Sequence, residues 1–218
     1  MFLRESRTSS RSWPLVHLLL LLLIGAVNLR AQERMPPIPI DRWTDAQRKV
    51  MAQDFPGSTG PMSGPYGLWL RSPQVMIGRK IVGDYLLEYK GVLSPKLTEI
   101  AILMTARHWT SQFVWTPHHK LAEKAGVRPD VIQAIAEGRR PVKMADDEAM
   151  MYDFCDELLR NHGVSDATYA RALETIGEQG IVEAVAAIAH WAANAMMLNT
   201  ARTPLAAGVT PPLAYFPR

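Results

Sequence analysis

The chain has 218 residues, 48% of them hydrophobic and 21% charged, with 24 basic against 21 acidic side chains and a single cysteine. That length admits one domain with a substantial buried core, and one cysteine excludes both an internal disulfide and a two-cysteine redox cycle. The basic excess belongs to the amino terminus: setting aside residues 1–31 removes Arg4, Arg7, Arg11, Arg30 and Glu5, leaving 20 basic and 20 acidic residues. Such a balance offers no field or phosphate track for nucleic acid.

In chain order, residues 1–31 carry Arg4, Arg7 and Arg11 ahead of an apolar run from Leu18 to Ile24, and a small residue at Ala31. This is a secretory signal pattern, which places the protein in the periplasm or outside the cell with a mature chain starting near Gln32. The run is shorter than the roughly 20 residues of a membrane span, so membrane contact is expected only if the segment stays uncleaved. Residues 32–72 read as a Pro/Gly-rich arm with one short helix at "TDAQRKVMAQDF", capped by Thr44. The irregular "PGSTGPMSGPYG" that follows is a possible lid or rim. Residues 73–200 read as helical throughout.

The first helix of that region, "SPQVMIGRKIVGDYLLEYKG", shows an apolar face at Val75, Ile81, Val82, Tyr85, Leu86 and Tyr89, with Gly91 as its stop. "SPKLTEIAILMTARHW" starts at a Ser94 cap with Pro95 first in the helix. A unit from Ser111 to Gly126, a short helix at 129–138 and "DDEAMMYDFCDELLRNHG" come next. "SDATYARALETIG", capped by Ser165, precedes "GIVEAVAAIAHWAANAMMLNT", which is apolar almost all round, as for a helix inside a core or between subunits. The tail, residues 201–218, is irregular and expected to fold back over a neighbour. No strand-like alternation is present, so the fold class is all-α.

The chemistry-bearing residues concentrate between 99 and 119. Glu99 shares a helix side with Ile102, Leu103 and Ala106; it is either a partly desolvated acid or base or an exposed first-turn acid favoured by the helix dipole. His108 suits the last turn as a cap, with Trp109 over the junction. Two readings of the next helix stand open: Ser111 caps it and Pro117 interrupts it, or Thr116 caps a new one with Pro117 in its first turn. His118 and His119 point about 100° apart on a helix. His118 falls on the inward side as a neutral imidazole or as a satisfied core histidine, and His119 falls at the rim. No HExxH and no cysteine pair is present, and a zinc set of His108, His118, His190 and Glu99 would need an arrangement that spacing does not supply. No metal or cofactor is expected. His190 and Trp191 read as packing or interface residues, Asn194 as a polar group needing partners if buried, and His162 as a helix C-cap.

"LTEIAILMTARHWTSQFVWTPHHKLAEKAGVRPDVIQAIAEG", residues 97–138, resembles the carboxymuconolactone decarboxylase family, which includes the alkylhydroperoxidase AhpD-like proteins. The shared features are an acid early in one helix, an aromatic-rich start to the next, a histidine and the "LAEKAGV" turn, and residues 165–200 resemble the family's distal helices. The resemblance implies an AhpD-like helical domain that assembles into trimers or hexamers. In the peroxidase branch a CxxC pair carries the redox cycle. Aligning Glu99 and His118 with the family's glutamate and histidine puts the two thiol positions on Ser111 and Val114, and the relay histidine between them on Phe113. A serine hydroxyl cannot replace a thiolate, and Cys155 lies far along the chain in an apolar setting, so thiol peroxidase activity is disfavoured.

The decarboxylase branch needs no thiol. There Glu99 and His118 are the candidate catalytic acid/base pair, Arg107 or His108 holds a substrate carboxylate, and Trp109, Ser111, Phe113, Trp115 and His119 complete the binding surface. The expected partner is a small carboxylated or lactone substrate. A non-catalytic binding protein with the same cavity and a structural protein whose pocket is filled by its own side chains are the alternatives.

Overall fold

The computed structural model is described for residues 32–215, and among these described residues there are eight α-helices and no strand. The expected signal segment, residues 1–31, lies outside them. The all-α expectation therefore holds.

The amino-terminal part is more structured than an arm. The helix α1 (Asp45–Asp54) starts with a capping box in which Thr44 Oγ1 accepts from Gln47 N and Gln47 Oε1 accepts from Thr44 N. The segment read as an irregular rim ends in a helix, α2 (Gly64–Trp69), and Pro65 in its first turn explains why proline did not prevent it. With α3 (Pro73–Leu87), these helices close a small core of Val50, Met51, Leu70 and Met76, bordered by Trp43, Phe55 and Tyr66.

The central element is α4 (Pro95–His108). Ser94 Oγ caps it by accepting from Leu97 N, and every residue from Leu97 to Arg107 is buried. It packs against α5 (Gln112–Lys124), α6 (Pro129–Ala136), α7 (Asp146–Asn161) and α8 (Asp166–Ala201). A helix enclosed on all sides cannot send its polar residues to water, so its acid must find partners inside the protein. His162 ends α7 in the left-handed region (φ 62°), as expected of a cap. Gly177, at φ 67° and ψ 177°, breaks α8 where the sequence separates two helices. The tail folds back: Leu213 is buried, its N–H and carbonyl bond the Gln112 side chain, and Ala214 O accepts from Arg107 at 2.7 Å.

The face of α3 is a correction. Its buried residues are Met76, Gly83 and Leu86, whereas Val75, Ile81, Val82 and Tyr85 are exposed. Gly83 is the reason: a Cβ there would stand 3.0 Å from His190 Cε1 and 3.2 Å from Tyr66 Oη, so α3 meets α8 along its glycine side. A reading that counts side-chain hydrophobicity gives glycine no weight and selects the opposite stripe. Gly91 does not stop the helix either. Tyr89 does, in the left-handed region at φ 50°, with Tyr89 N donating to Leu86 O and Lys90 N to Tyr85 O.

Candidate functional site

Glu99 has no solvent exposure, which overturns its reading as a surface acid at the helix start. Its two oxygens are both used. Oε2 lies 2.9 Å from His118 Nδ1, and Oε1 accepts from the Tyr89 hydroxyl at 3.1 Å. His118 projects from α5 at 7% exposure, and its other ring nitrogen, Nε2, accepts from the Trp191 indole at 3.0 Å. An indole nitrogen can only donate. Nε2 therefore carries the lone pair, Nδ1 carries the proton, and that proton is donated to Glu99. The result is one directed chain from Trp191 through His118 to Glu99, with Tyr89 donating from the opposite side.

The helices place these groups for local reasons. Glu99 occupies the second turn of α4, and the turn after α3 brings Tyr89 over it. α5 is continuous from Gln112, with Ser111 at its N-cap position, so the first of the two sequence readings holds. Ser111 does not cap with its side chain: it is fully buried and its Oγ has no hydrogen-bond partner. Pro117 stands inside the helix and cannot donate to Phe113 O, while Thr116 Oγ1 bonds Gln112 O at 2.8 Å in the same turn. Tyr89 holds a backbone conformation that costs a non-glycine residue about 1 kcal/mol or more, and its hydroxyl bond to Glu99 is what that conformation delivers. Burial first, then the charge and hydrogen bond of Glu99, push the Tyr89 hydroxyl up to about 12.

The remaining predicted site residues are not gathered around this chain. Arg107 and His108 line a separate cleft of about 490 Å3 with Tyr152 and Arg160. Burial, then the Arg160 charge, push the His108 pKa down. Phe113 lines another cleft, against Gly64 and the amino-terminal residues. Trp115 is buried in the main core. Trp109 is half-buried, packs edge-on against His108 at 5.6 Å, and its carbonyl accepts from Asn199. His119 is half-buried, with Nδ1 3.3 Å from Trp115 O. Arg107 and His108 belong to the far end of α4 because eight or nine residues of helix, on the order of 12 Å of rise, separate them from Glu99. The aromatic-rich segment is a core corner shared by several surfaces, and only His118 of that segment reaches the acid. No family model matches the chain, and no curated protein matches it either.

Three features escaped the sequence reading. Trp191, taken as packing, is the donor that fixes the His118 tautomer. Tyr89, taken as an apolar helix residue, is the second donor to Glu99. Glu183 on α8 accepts from Val92 N, Leu93 N, the Tyr85 hydroxyl and Gln179 Nε2, and so ties down the loop that carries Tyr89. Asn194 finds the partners its burial demands, accepting from Trp69 Nε1 at 3.0 Å and from Arg79 at 3.1 Å. Cys155 is fully buried with Sγ 3.8 Å from Met151 Sδ, and burial pushes its thiol pKa far up, away from the thiolate that redox chemistry requires. Among the described residues no three His, Cys, Asp or Glu side chains group as a metal site. Both His118 nitrogens are already engaged.

Proposed function

We propose that this protein is an acid/base enzyme acting on a small carboxylated or lactone substrate, of the kind its resemblance to the carboxymuconolactone decarboxylases implies. The observation that carries the reading is the buried Glu99–His118 pair at 2.9 Å, held between two further donors, Trp191 and Tyr89. A carboxylate with no solvent exposure is costly to keep unless its charge is satisfied, and here every lone-pair direction in use is directed by a named donor. Glu99 is the proton acceptor, and His118 orients and stabilises it through Nδ1–H. The imidazole does not serve as a free base, since a proton can enter at Nε2 only after the indole has moved. Family membership, export to the periplasm or beyond, and assembly into trimers or hexamers belong to the same proposal. The missing CxxC and the buried Cys155 argue against the peroxidase alternative.

The occupied Nε2 favours a second reading, in which the chain Trp191–His118–Glu99–Tyr89 is a structural network of a non-catalytic binding protein. Turnover separates the two. Lactone carboxylic acids and small aromatic acids should be converted by the wild type, and Glu99→Gln and His118→Asn should each lower the rate about a hundredfold. Acids that bind without conversion in any form of the protein would give the second reading the lead.

A further inference from the structure

Of the four groups in the hydrogen-bonded chain, Glu99, His118 and Trp191 are buried, and Tyr89 alone is half-exposed. Tyr89 lines a cleft of about 680 Å3 together with Ser94, Lys96, Leu121 and Lys124. The cleft runs along α5 away from the site, because Leu121 and Ala125 follow His118 by three and seven residues and share its face. Its two cations differ. Lys96 is shared between Asp147, which also lines the cleft, at 3.0 Å and Glu148 at 3.5 Å, whereas Lys124 has no ion-pair partner among the described residues. The cleft thus combines one uncompensated ammonium, an apolar wall at Leu121 and a hydroxyl already hydrogen-bonded to a buried carboxylate.

We infer that this cleft is the docking site for a small carboxylate, that Lys124 takes its charge, and that Tyr89 passes a proton between the bound molecule and Glu99. The inference rests on the acid/base reading above and moves the carboxylate anchor from the Arg107 and His108 end of α4 to the opposite end. In the forward step a C–H bond beside the substrate carbonyl breaks, its proton goes to Tyr89 Oη, and the Tyr89 hydroxyl proton goes to Glu99 Oε1. The products are a substrate enolate and a neutral Glu99, and the reverse transfer restores both. His118 holds Glu99 throughout as a positioning residue.

The test is a methyl NMR titration of the full chain with 5-oxotetrahydrofuran-2-carboxylate and with uncharged γ-butyrolactone, followed by exchange of the proton α to the lactone carbonyl in D2O. The carboxylate should shift the methyls of Leu121 and Ala125 and leave those of Ile135 and Leu159, which line the Arg107 cleft, in place. Lys124→Ala should weaken binding about fivefold, Lys124→Arg should restore most of it, and the uncharged lactone should be indifferent to both. Tyr89→Phe should keep binding while lowering exchange about a hundredfold, as Glu99→Gln does. Shifts at Ile135 and Leu159, no shifts at all, or binding unaffected by Lys124→Ala would overturn the docking site, whatever the exchange shows. Exchange that falls in Glu99→Gln but not in Tyr89→Phe would overturn the relay alone. Binding as expected with no exchange in the wild type would sink the acid/base reading and the Tyr89 relay with it, and leave the carboxylate site standing.

Discussion

His190 is 8% exposed, its ring centroid 4.8 Å from that of Trp191 and close against Gly83. Burial, then the nearby Arg79 charge, push its pKa down to about 4 from an ordinary 6.5. Between those values the unfolded chain binds more protons than the native one. Stability is therefore lost as the pH falls from about 6.5 towards 4, by up to about 3 kcal/mol in total. Urea unfolding from pH 7 to 4.5 should show this slope in the wild type and a flatter one in His190→Gln; parallel slopes would show that His190 is not held neutral. At this scale the sequence was informative where burial follows from periodicity. His118 could be placed inward through its helical neighbours, whereas for Glu99 the stripe it shares with Ile102 and Leu103 left a buried and an exposed reading both open. The partner of His118 was not legible, because which way an indole N–H points depends on how α8 crosses α5. That crossing is a tertiary fact with no local pattern.

Between α3 and α4 the chain turns on one carboxylate. Glu183 reaches from α8 to bond Val92 N and Leu93 N, and a Cβ on Gly91 would lie 2.2 Å from Glu183 Oε2. Burial works against the charge of Glu183, but the Tyr85, Gln179 and backbone donors outweigh it and hold the carboxyl below its ordinary range. A depressed carboxyl contributes its stability in full above the unfolded value of about 4.3 and loses it as the pH falls through the native value. Glu183→Ala should accordingly cost about 1–3 kcal/mol near neutrality by stranding two backbone donors, with the gap to wild type closing in acid. Gly91→Ala should cost about 1–3 kcal/mol by overpacking. Chemical denaturation at pH 7 and pH 3 checks both, and a gap that persists unchanged in acid would contradict the charged clamp. Helix starts were readable here, since Thr44, Ser94 and Ser165 each cap with the side chain. The end of α3 was not, because its left-handed residue is Tyr89 rather than the nearby glycine, a strained choice that only the contact with Glu99 accounts for.

For the molecule as a whole, the two ends of the described chain both fasten onto the helical unit, Arg34 N to Ala201 O and Leu213 to Gln112. One apolar strip is left uncovered. Ile81, Val82 and Tyr85 of α3 face Val182 and Ala186 of α8 across a cleft of about 410 Å3, and Ile81 and Val182 are 66% and 67% exposed. In the proposed trimer or hexamer this strip is where a second copy would dock. Ile81→Lys with Val182→Lys should leave the helical content intact and convert the assembly to monomer in sedimentation; a wild type that is itself monomeric would contradict it. The near all-round apolar character of residues 180–200 was legible, although Val182, Val185 and Met196 are exposed. Which side belongs to the core was not, since Gly83 and Glu183 decide it. The chain from Trp191 to Glu99 is tested most directly by a long-range 1H–15N correlation of His118 in wild type and Trp191→Phe. The structure predicts a proton fixed on Nδ1 and a lone pair on Nε2 in the wild type, with the proton no longer confined to Nδ1 in the variant. A proton on Nε2, or two tautomers in exchange before the substitution, would contradict the chain and the acid/base site built on it.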